Sequence, residues 1–184
     1  MDIVAKVVAL HQALAAAGLP HAIGGALALA WCVRDPRGTV DVDVNVFISE
    51  SSASLLRDAL PAPIELSPAD VARLEEDGQA RLFWGQTPVD IFLNSVPMHE
   101  AASKRVRIEP FGGAELPFLS CLVTAIFKAL FNRSKDWVDL EEMHAATTLE
   151  VAEVRSVLVQ ALGEEDERVA TLDRLAATGR AFAT

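Results

Sequence analysis

Two aspartates stand two residues apart in a run of valines, within "GTVDVDVNVF" at residues 38–47. Side chains two apart on a strand share a face, so the carboxylates of Asp41 and Asp43 would point to the same side of a sheet. Aspartate is a poor strand former, and a carboxylate buried without a partner is costly. The pair therefore predicts either a functional site or the acidic outer face of an edge strand.

A third carboxylate, Asp90, stands alone in another apolar strand pattern, "PVDIFL". Three carboxylates on neighbouring strands would form an oxygen-rich site of the kind that Mg²⁺ prefers. Two such ions can stabilise the attacking and leaving oxygens of an in-line phosphoryl or nucleotidyl transfer. We predict a two-ion Mg²⁺ site at Asp41, Asp43 and Asp90.

A glycine pair follows the short strand pattern that begins at His21. Gly24 and Gly25 would let the backbone approach a phosphate, and the helix that follows would supply N–H donors at its N-terminus. The alternative is a turn that needs glycine only for its geometry. We predict a phosphate-binding turn, because the same segment runs on into "RGTVDVD".

Basic residues occur in the late segment "FKALFNRSKDWVDLEEM", residues 127–143. Lys128 lies at helical spacing from Asn132 or Lys135, and such a cation would neutralise a triphosphate. Arg133 would add a fork-shaped contact.

The same segment holds two acidic residues, Asp136 and Asp139, at a spacing that places them on one helix face with Met143. The alternative for the whole segment is a solvated helix surface with ion pairs inside the helix.

The order of periodic patterns predicts an α+β protein, with a small mixed β-sheet flanked by helices and a helical C-terminal part. We predict an α/β core over residues 1–119 and a helical part over 120–184 that packs on it as one unit. Predicted strands lie at 21–23, 40–47, 80–85, 88–93, 105–111 and 114–119. Predicted helices lie at 2–17, 26–33, 52–60, 67–77, 98–104, 120–132, 135–147, 150–162 and 165–178.

The composition restricts the class of protein. The chain has 184 residues, 51% of them hydrophobic, and a formal net charge of −10, which argues against a general nucleic-acid coat. Half of the 16 lysines and arginines nevertheless fall in three short windows, around residues 34–37, 104–107 and 128–135. No apolar run is long enough to span a bilayer, and the N-terminus lacks a signal-peptide pattern, so we expect a cytoplasmic protein without a membrane partner. The only two cysteines, Cys32 and Cys121, both have apolar surroundings, so we predict no disulfide framework.

Taken together, these stretches resemble the nucleotidyltransferases of the DNA polymerase β superfamily. The order "GG…DVDV…VDIF" is similar to their glycine turn, two metal-binding aspartates and a third on a later strand. The combination of "GGALALAWCVRDPRGTVDVDV" with "FKALFNRSKDWVDLEEM" resembles the AbiEii-type and MenT-type toxin branch over roughly residues 20–145. The family lysine matches Lys128, and the K-D-x-x-D motif of the family matches Lys135, Asp136 and Asp139.

The resemblance implies a nucleotidyltransferase fold and the transfer of a nucleotide from an NTP to an acceptor, with release of pyrophosphate. In the toxin branch the acceptor is the 3′ end of tRNA, usually extended with pyrimidine nucleotides, which blocks translation. Asp41 and Asp43 would hold Mg²⁺, and Arg37 or Lys128 would offset charge on the triphosphate. Asp90 would help to activate the acceptor hydroxyl, unless Asp136 or Asp139 takes that place.

The resemblance also implies regulation at Thr39, two residues before Asp41. Related toxins are silenced when a kinase-like antitoxin phosphorylates a Ser or Thr at this position. A phosphate there would place about −1.5 to −2 charges beside the metal-binding carboxylates and compete with the triphosphate. The alternative is that Thr39 merely begins a strand.

Two rival functions remain open at this level. An aminoglycoside-type nucleotidyltransferase shares the glycine turn and the paired aspartates, and an acidic protein suits a cationic drug. A degenerate nucleotidyltransferase that acts as an antitoxin or binding module would be expected to lack a metal-binding aspartate, whereas all three are present here.

Overall fold

The computed structural model describes residues 1–95 and 97–182. It confirms the predicted α+β class. Its strands in the described residues are β1 (His21–Ile23), β2 (Val42–Val46), β3 (Gln79–Trp84), β4 (Thr87–Phe92), β5 (Val106–Phe111) and β6 (Ala114–Leu119). Its α-helices there are α1 (Ile3–Ala16), α2 (Gly25–Leu29), α3 (Leu56–Ala59), α4 (Pro68–Asp77), α5 (Pro97–Ser103), α6 (Cys121–Phe131), α7 (Ser134–Ala145), α8 (Val151–Leu162) and α9 (Glu167–Thr178). A 3₁₀ helix (Glu50–Leu55) leads into α3.

Within the described ranges, the six strands form one mixed sheet in the order β3-β4-β2-β1-β6-β5. The pairs β2–β4 and β1–β6 are parallel, whereas β1–β2, β3–β4 and β5–β6 are antiparallel. β2 therefore lies inside the sheet with β4 beside it, which brings the strands that carry the predicted aspartates next to each other.

Buried and exposed residues alternate along the strands because the two faces of the sheet have different surroundings. On β3, Ala80, Leu82 and Trp84 are buried, whereas the residues between them are exposed. On β2, the valines at 42, 44 and 46 are buried, and Asp43 lies half-buried on the opposite face. The sheet thus has an apolar face that forms the core and a second face that presents polar side chains.

Local signals set several helix boundaries. Ser67 caps α4 by accepting a hydrogen bond from the backbone N–H of Asp70, Pro68 occupies the first turn, and Gly78 ends the helix in the left-handed conformation with φ 67°. Ser120 caps α6 in the same way, and Asn132 ends it with φ 56°.

The chain divides into two compact units. The first holds residues 1–27 and 38–119, and it contains the whole sheet. In this unit α1 packs on β1 and β6, and α4 packs on β3. The second holds residues 28–37 and 120–184, so the loop that ends at Arg37 belongs with the helical C-terminal part.

The second unit is built from helices that share an apolar interior. α6 packs on α7 and α8, and α8 packs on α9. The side chains of Trp137, Leu140, Met143 and Leu158 are at most 1% exposed and form the centre of this unit. Burial of such side chains supplies the driving force for the helices to associate.

The two cysteines correct the expectation that a disulfide would be absent. Cys32 and Cys121 form a disulfide within the second unit. No local pattern points to this disulfide, because the two residues are 89 positions apart and come together only when the loop after α2 folds onto the start of α6. Thr148 donates a hydrogen bond to the carbonyl oxygen of Cys32, at 2.5 Å, which further fixes this loop.

Candidate active site

The glycine turn lies directly against Asp43. A Cβ atom on Gly25 would come within 1.9 Å of Asp43 Oδ2, and the residue has φ 55°. The backbone N–H of Gly24 donates to the carbonyl oxygen of Asp43, at 2.9 Å. Both the backbone conformation and the close approach of the carboxylate therefore require glycine at position 25.

Asp41 lies immediately before β2, and its side chain is 38% exposed. Thr39 holds the backbone at this point, because its hydroxyl accepts from the N–H of Asp41 and donates to the carbonyl of the same residue, each at 3.2 Å. The hydroxyl of Thr39 is thus in direct contact with the residue that begins the predicted metal-binding pair.

Asp90 stands beside Asp43 in the sheet. The two residues are register partners on the parallel strands β2 and β4. Side chains of register partners leave the sheet on the same face. The structure therefore brings the predicted third carboxylate next to the first pair.

An arginine that the sequence reasoning overlooked occupies this face. Arg81 on β3 donates from Nε to Asp90 Oδ1 at 2.7 Å and from Nη2 to Asp90 Oδ2 at 2.6 Å. The same Nη2 is 3.8 Å from Asp41 Oδ2. The hydrogen bond to Asp90, and then the charge of Asp90, raise the pKa of Arg81 above its ordinary value.

Arg81 was detectable in principle. Only two residues separate the predicted strands 80–85 and 88–93, which is typical of a hairpin. Pairing Trp84 with Thr87 across that turn places Arg81 directly opposite Asp90. Opposite charges at paired positions of a hairpin attract each other. The register of the hairpin was the signal.

The donor set of this face suits a divalent cation. In the part of the chain that is described, no three His, Cys, Asp or Glu side chains already converge on a single point. The carboxylates of Asp41, Asp43 and Asp90 nevertheless share one region of the sheet, and a cationic group, the Arg81 guanidinium, already bridges two of them. Carboxylate oxygens are the ligands that Mg²⁺ prefers, so the donor type on this face fits the ion.

A second cluster lies in the helical unit around a buried lysine. Lys128 is 6% exposed, and its Nζ donates to Asp139 Oδ2 at 2.6 Å and lies 3.8 Å from Asp136 Oδ1. Arg37 donates to both oxygens of Asp139, from Nε and Nη2, at 3.1 Å each. Burial raises the pKa of Asp139, but the hydrogen bonds and charges of Arg37 and Lys128 outweigh it, so the pKa lies below its ordinary value.

Asp136 is the second acidic partner in this cluster. Arg133 donates to its carboxylate from Nε at 2.6 Å and from Nη2 at 3.1 Å, and the Arg133 backbone N–H does so at 3.2 Å. Asp136 therefore caps the N-terminus of α7 as well as pairing with cations. Lys135, by contrast, is exposed.

The predicted residues thus fall into two groups. Asp41, Asp43, Asp90, Thr39 and the glycine turn belong to the sheet unit, whereas Arg37, Lys128, Arg133, Asp136 and Asp139 belong to the helical unit. The alternative of a solvated helix surface is wrong for Lys128, Asp136 and Asp139, which are all buried.

The exposed aromatic residue next to this face is Phe83. It is 54% exposed, whereas its neighbour Trp84 is 8% exposed and belongs to the core. Phe83 alternates with Trp84 and therefore lies on the same face of β3 as Arg81.

The sheet and its helices have a nucleotidyltransferase fold. The chain is similar to the solution structure of the antibiotic-resistance factor ANT(2'')-Ia, with 17% identity and a TM-score of 0.54; the match covers 95% of this chain and 93% of that chain. It is also similar, more weakly, to the crystal structure of an antigenic nucleotidyltransferase-like protein from Paracoccidioides brasiliensis, with 13% identity, 91% of each chain covered and a TM-score of 0.47. No protein-family model and no curated protein matches the sequence.

No helix in residues 1–95 and 97–182 is long and apolar enough to cross a membrane.

Proposed function

We propose that this protein is a Mg²⁺-dependent nucleotidyltransferase that transfers a nucleotide from an NTP to an acceptor and releases pyrophosphate. One observation carries the proposal. Asp43 and Asp90 are register partners on adjacent parallel strands, and Asp43 lies against Gly25, where a Cβ atom would clash with its carboxylate.

Asp41, Asp43 and Asp90 would hold Mg²⁺ in this proposal. When bound, the metal supplies charge stabilisation of the triphosphate and of the oxygens that attack and leave. The turn formed by Gly24 and Gly25 would let the backbone approach the phosphates at Gly25, whereas the N–H of Gly24 is already bonded to the carbonyl of Asp43. We assign acceptor activation to Asp90, because it is the partner of Asp43 in the sheet.

The helical unit holds the cations that the resemblance assigns to the triphosphate. Lys128 and Arg37 both bind Asp139, which holds the two cationic groups in fixed positions. Arg133, anchored by Asp136, and the exposed Lys135 would add positive charge. In this assignment Asp136 and Asp139 orient cations and are not the third catalytic carboxylate.

For the acceptor we propose the 3′ end of tRNA, extended with pyrimidine nucleotides by a cytoplasmic toxin that blocks translation. The support is the pair of late helices, α6 and α7, in which the lysine and aspartates that match the toxin-branch motif form one buried network. A cognate antitoxin, of a kinase-like kind, would then silence the enzyme at Thr39. The hydroxyl of Thr39 contacts the backbone of Asp41, so a phosphate on Thr39 would repel the incoming triphosphate.

A small cationic acceptor of the aminoglycoside type is the second candidate, and a specific observation favours it. Arg37, Lys128, Arg133 and Arg107, from the three basic windows, are all engaged by carboxylates of the same chain. Together with the net charge of −10, this leaves less positive charge for RNA and suits an amine-rich substrate.

The test uses purified protein, Mg²⁺ and each α-labelled NTP in turn, with total tRNA in one series and a panel of aminoglycosides in another. Asp41→Ala serves as the inactive control. Label on tRNA from one preferred nucleotide, lost in the variant, establishes the tRNA enzyme and names its donor.

Label on an aminoglycoside alone moves the assignment to the second candidate. Mass spectrometry first shows that Thr39 is unmodified. If none of the acceptors then receives label in a way that depends on Asp41, nucleotidyl transfer to these acceptors is overturned. That result would favour a binding module of the antitoxin kind.

A further inference from the structure

Arg81 is placed between two of the carboxylates on the open face of the sheet. Its guanidinium engages both oxygens of Asp90 and lies 3.8 Å from Asp41. The Asp90 side chain is 17% exposed, whereas that of Arg81 is 54% exposed. The fork-to-carboxylate geometry is the strongest kind of ion pair that these two groups can form.

We propose that Arg81 is a positioning residue that holds Asp90 as an internal counter-ion until a metal-bound nucleotide takes the carboxylate over. The inference rests on the proposed function. A divalent ion bound to Asp90 would lie close to the guanidinium that contacts both oxygens of this carboxylate. The two cations repel each other at that distance, so the arginine and the metal compete for the same carboxylate.

The exchange needs no proton transfer. A guanidinium stays protonated, so Arg81 leaves Asp90 only by rotating its side chain. Its half-exposed position at the edge strand gives that side chain access to solvent. Loading of the site thus replaces a monovalent cation with a divalent one, so Asp90 keeps a cationic partner before and after the exchange.

Two effects of opposite sign follow from removing the guanidinium. The carboxylates lose a bound cation, so a divalent ion should bind more tightly. Asp90 also loses the contact that fixes its orientation, so turnover should fall. A pair with only a structural role would change the stability of the fold and leave the metal affinity unaltered.

The experiment is a Mn²⁺ titration of the full chain, followed by electron paramagnetic resonance, for the wild type and Arg81→Met. We expect Arg81→Met to bind Mn²⁺ about tenfold more tightly. Arg81→Lys keeps the charge without the fork and should stay within about threefold of the wild type. In parallel, kcat for nucleotide transfer should fall in Arg81→Met.

Arg73→Met is the matched control. Arg73 lies in the same unit, is 63% exposed and pairs with Asp70 on α4 at 3.3 Å. Its loss should leave the Mn²⁺ affinity unchanged, which shows that a change of net charge alone does not produce the effect. Asp41→Ala is also made in the wild-type and Arg81→Met backgrounds. Mn²⁺ binding that this substitution weakens is the binding at this face of the sheet.

The outcomes separate the two proposals. Equal Mn²⁺ affinity in the wild type and Arg81→Met, with binding that Asp41→Ala removes, overturns the role of Arg81 and leaves the proposed function standing. The same tightening in Arg73→Met also overturns it. Mn²⁺ binding that Asp41→Ala does not weaken in either background overturns the metal site of the proposed function, and the Arg81 inference with it.

Discussion

At the scale of single residues, Gly25 joins the glycine turn to the acidic strand. A side chain there would meet the carboxylate of Asp43, and the left-handed backbone conformation disfavours any residue with a Cβ atom. The residue therefore does more than allow a turn, because its missing side chain makes the space in which Asp43 lies.

Gly25→Ala should consequently cost both stability and activity. The left-handed conformation alone costs about 1–2 kcal/mol, and the clash at 1.9 Å displaces Asp43 and adds about 1–3 kcal/mol. Urea unfolding and transfer assays measure the two effects. Gly85→Ala is the control, since Gly85 has φ 62° with nothing within 4 Å of a new Cβ. An equal loss in both variants would refute the steric contact with Asp43.

Asp139 is the second residue with a specific expected effect. It is 4% exposed and carries the main contacts of buried Lys128. Asp139→Asn should lower the free energy of unfolding by about 3 kcal/mol, because a buried ammonium group loses its closest charged partner. Asp173→Asn, which removes a 47%-exposed partner of Arg155, should change it by less than about 1 kcal/mol. If chemical denaturation gave similar losses of unfolding free energy for Asp139→Asn and Asp173→Asn, a buried role for Asp139 would be contradicted.

At the scale of elements, a covalent bond attaches the loop after α2 to helix α6 within the helical unit. The Cys32–Cys121 disulfide closes a separation of 89 residues and joins the segment that ends at Arg37 to the first turn of α6. Since α6 also carries Lys128, the bond connects the two elements that supply cations to Asp139.

Reduction of this disulfide should lower the free energy of unfolding by about 3–5 kcal/mol, because the unfolded chain regains the entropy of a long loop. Guanidinium unfolding with and without dithiothreitol measures the difference. The double variant Cys32→Ser/Cys121→Ser should give the reduced value in both conditions. A wild-type protein that is insensitive to the reductant would show that the bond contributes nothing to stability.

At the scale of the whole molecule, the pH dependence of stability should be set by histidines near neutrality. Burial lowers the pKa of His21 below its ordinary value of 6.5, its hydrogen bond to the carbonyl of Leu19 opposes that shift, and the charge of His11 adds to it. Burial also lowers the pKa values of His11 and His99. The folded state therefore prefers neutral imidazoles.

Because these pKa values are depressed in the folded state, the unfolded chain binds more protons on acidification. The contribution to stability is fully present above pH 6.5 and is lost as the pH falls through 6.5 toward the lower folded values. Urea unfolding at steps between pH 7.5 and 5 should show this decline. His21→Asn should reduce the slope of the free energy of unfolding against pH. An unchanged slope would exclude His21 as a source of the pH dependence.

The sequence by itself determined the elements and the acidic face of the sheet, since periodicity, the serine and glycine caps, and the spacing of Asp41 and Asp43 act over a few residues. The hairpin register that pairs Arg81 with Asp90 could also be predicted from the sequence. Only the tertiary structure decided the contacts between distant segments. Arg37 and Asp139 are 102 residues apart, and the two cysteines are 89 apart. Such pairs form when burial of the apolar helix faces brings remote segments together, and no local pattern encodes which of many possible partners will meet.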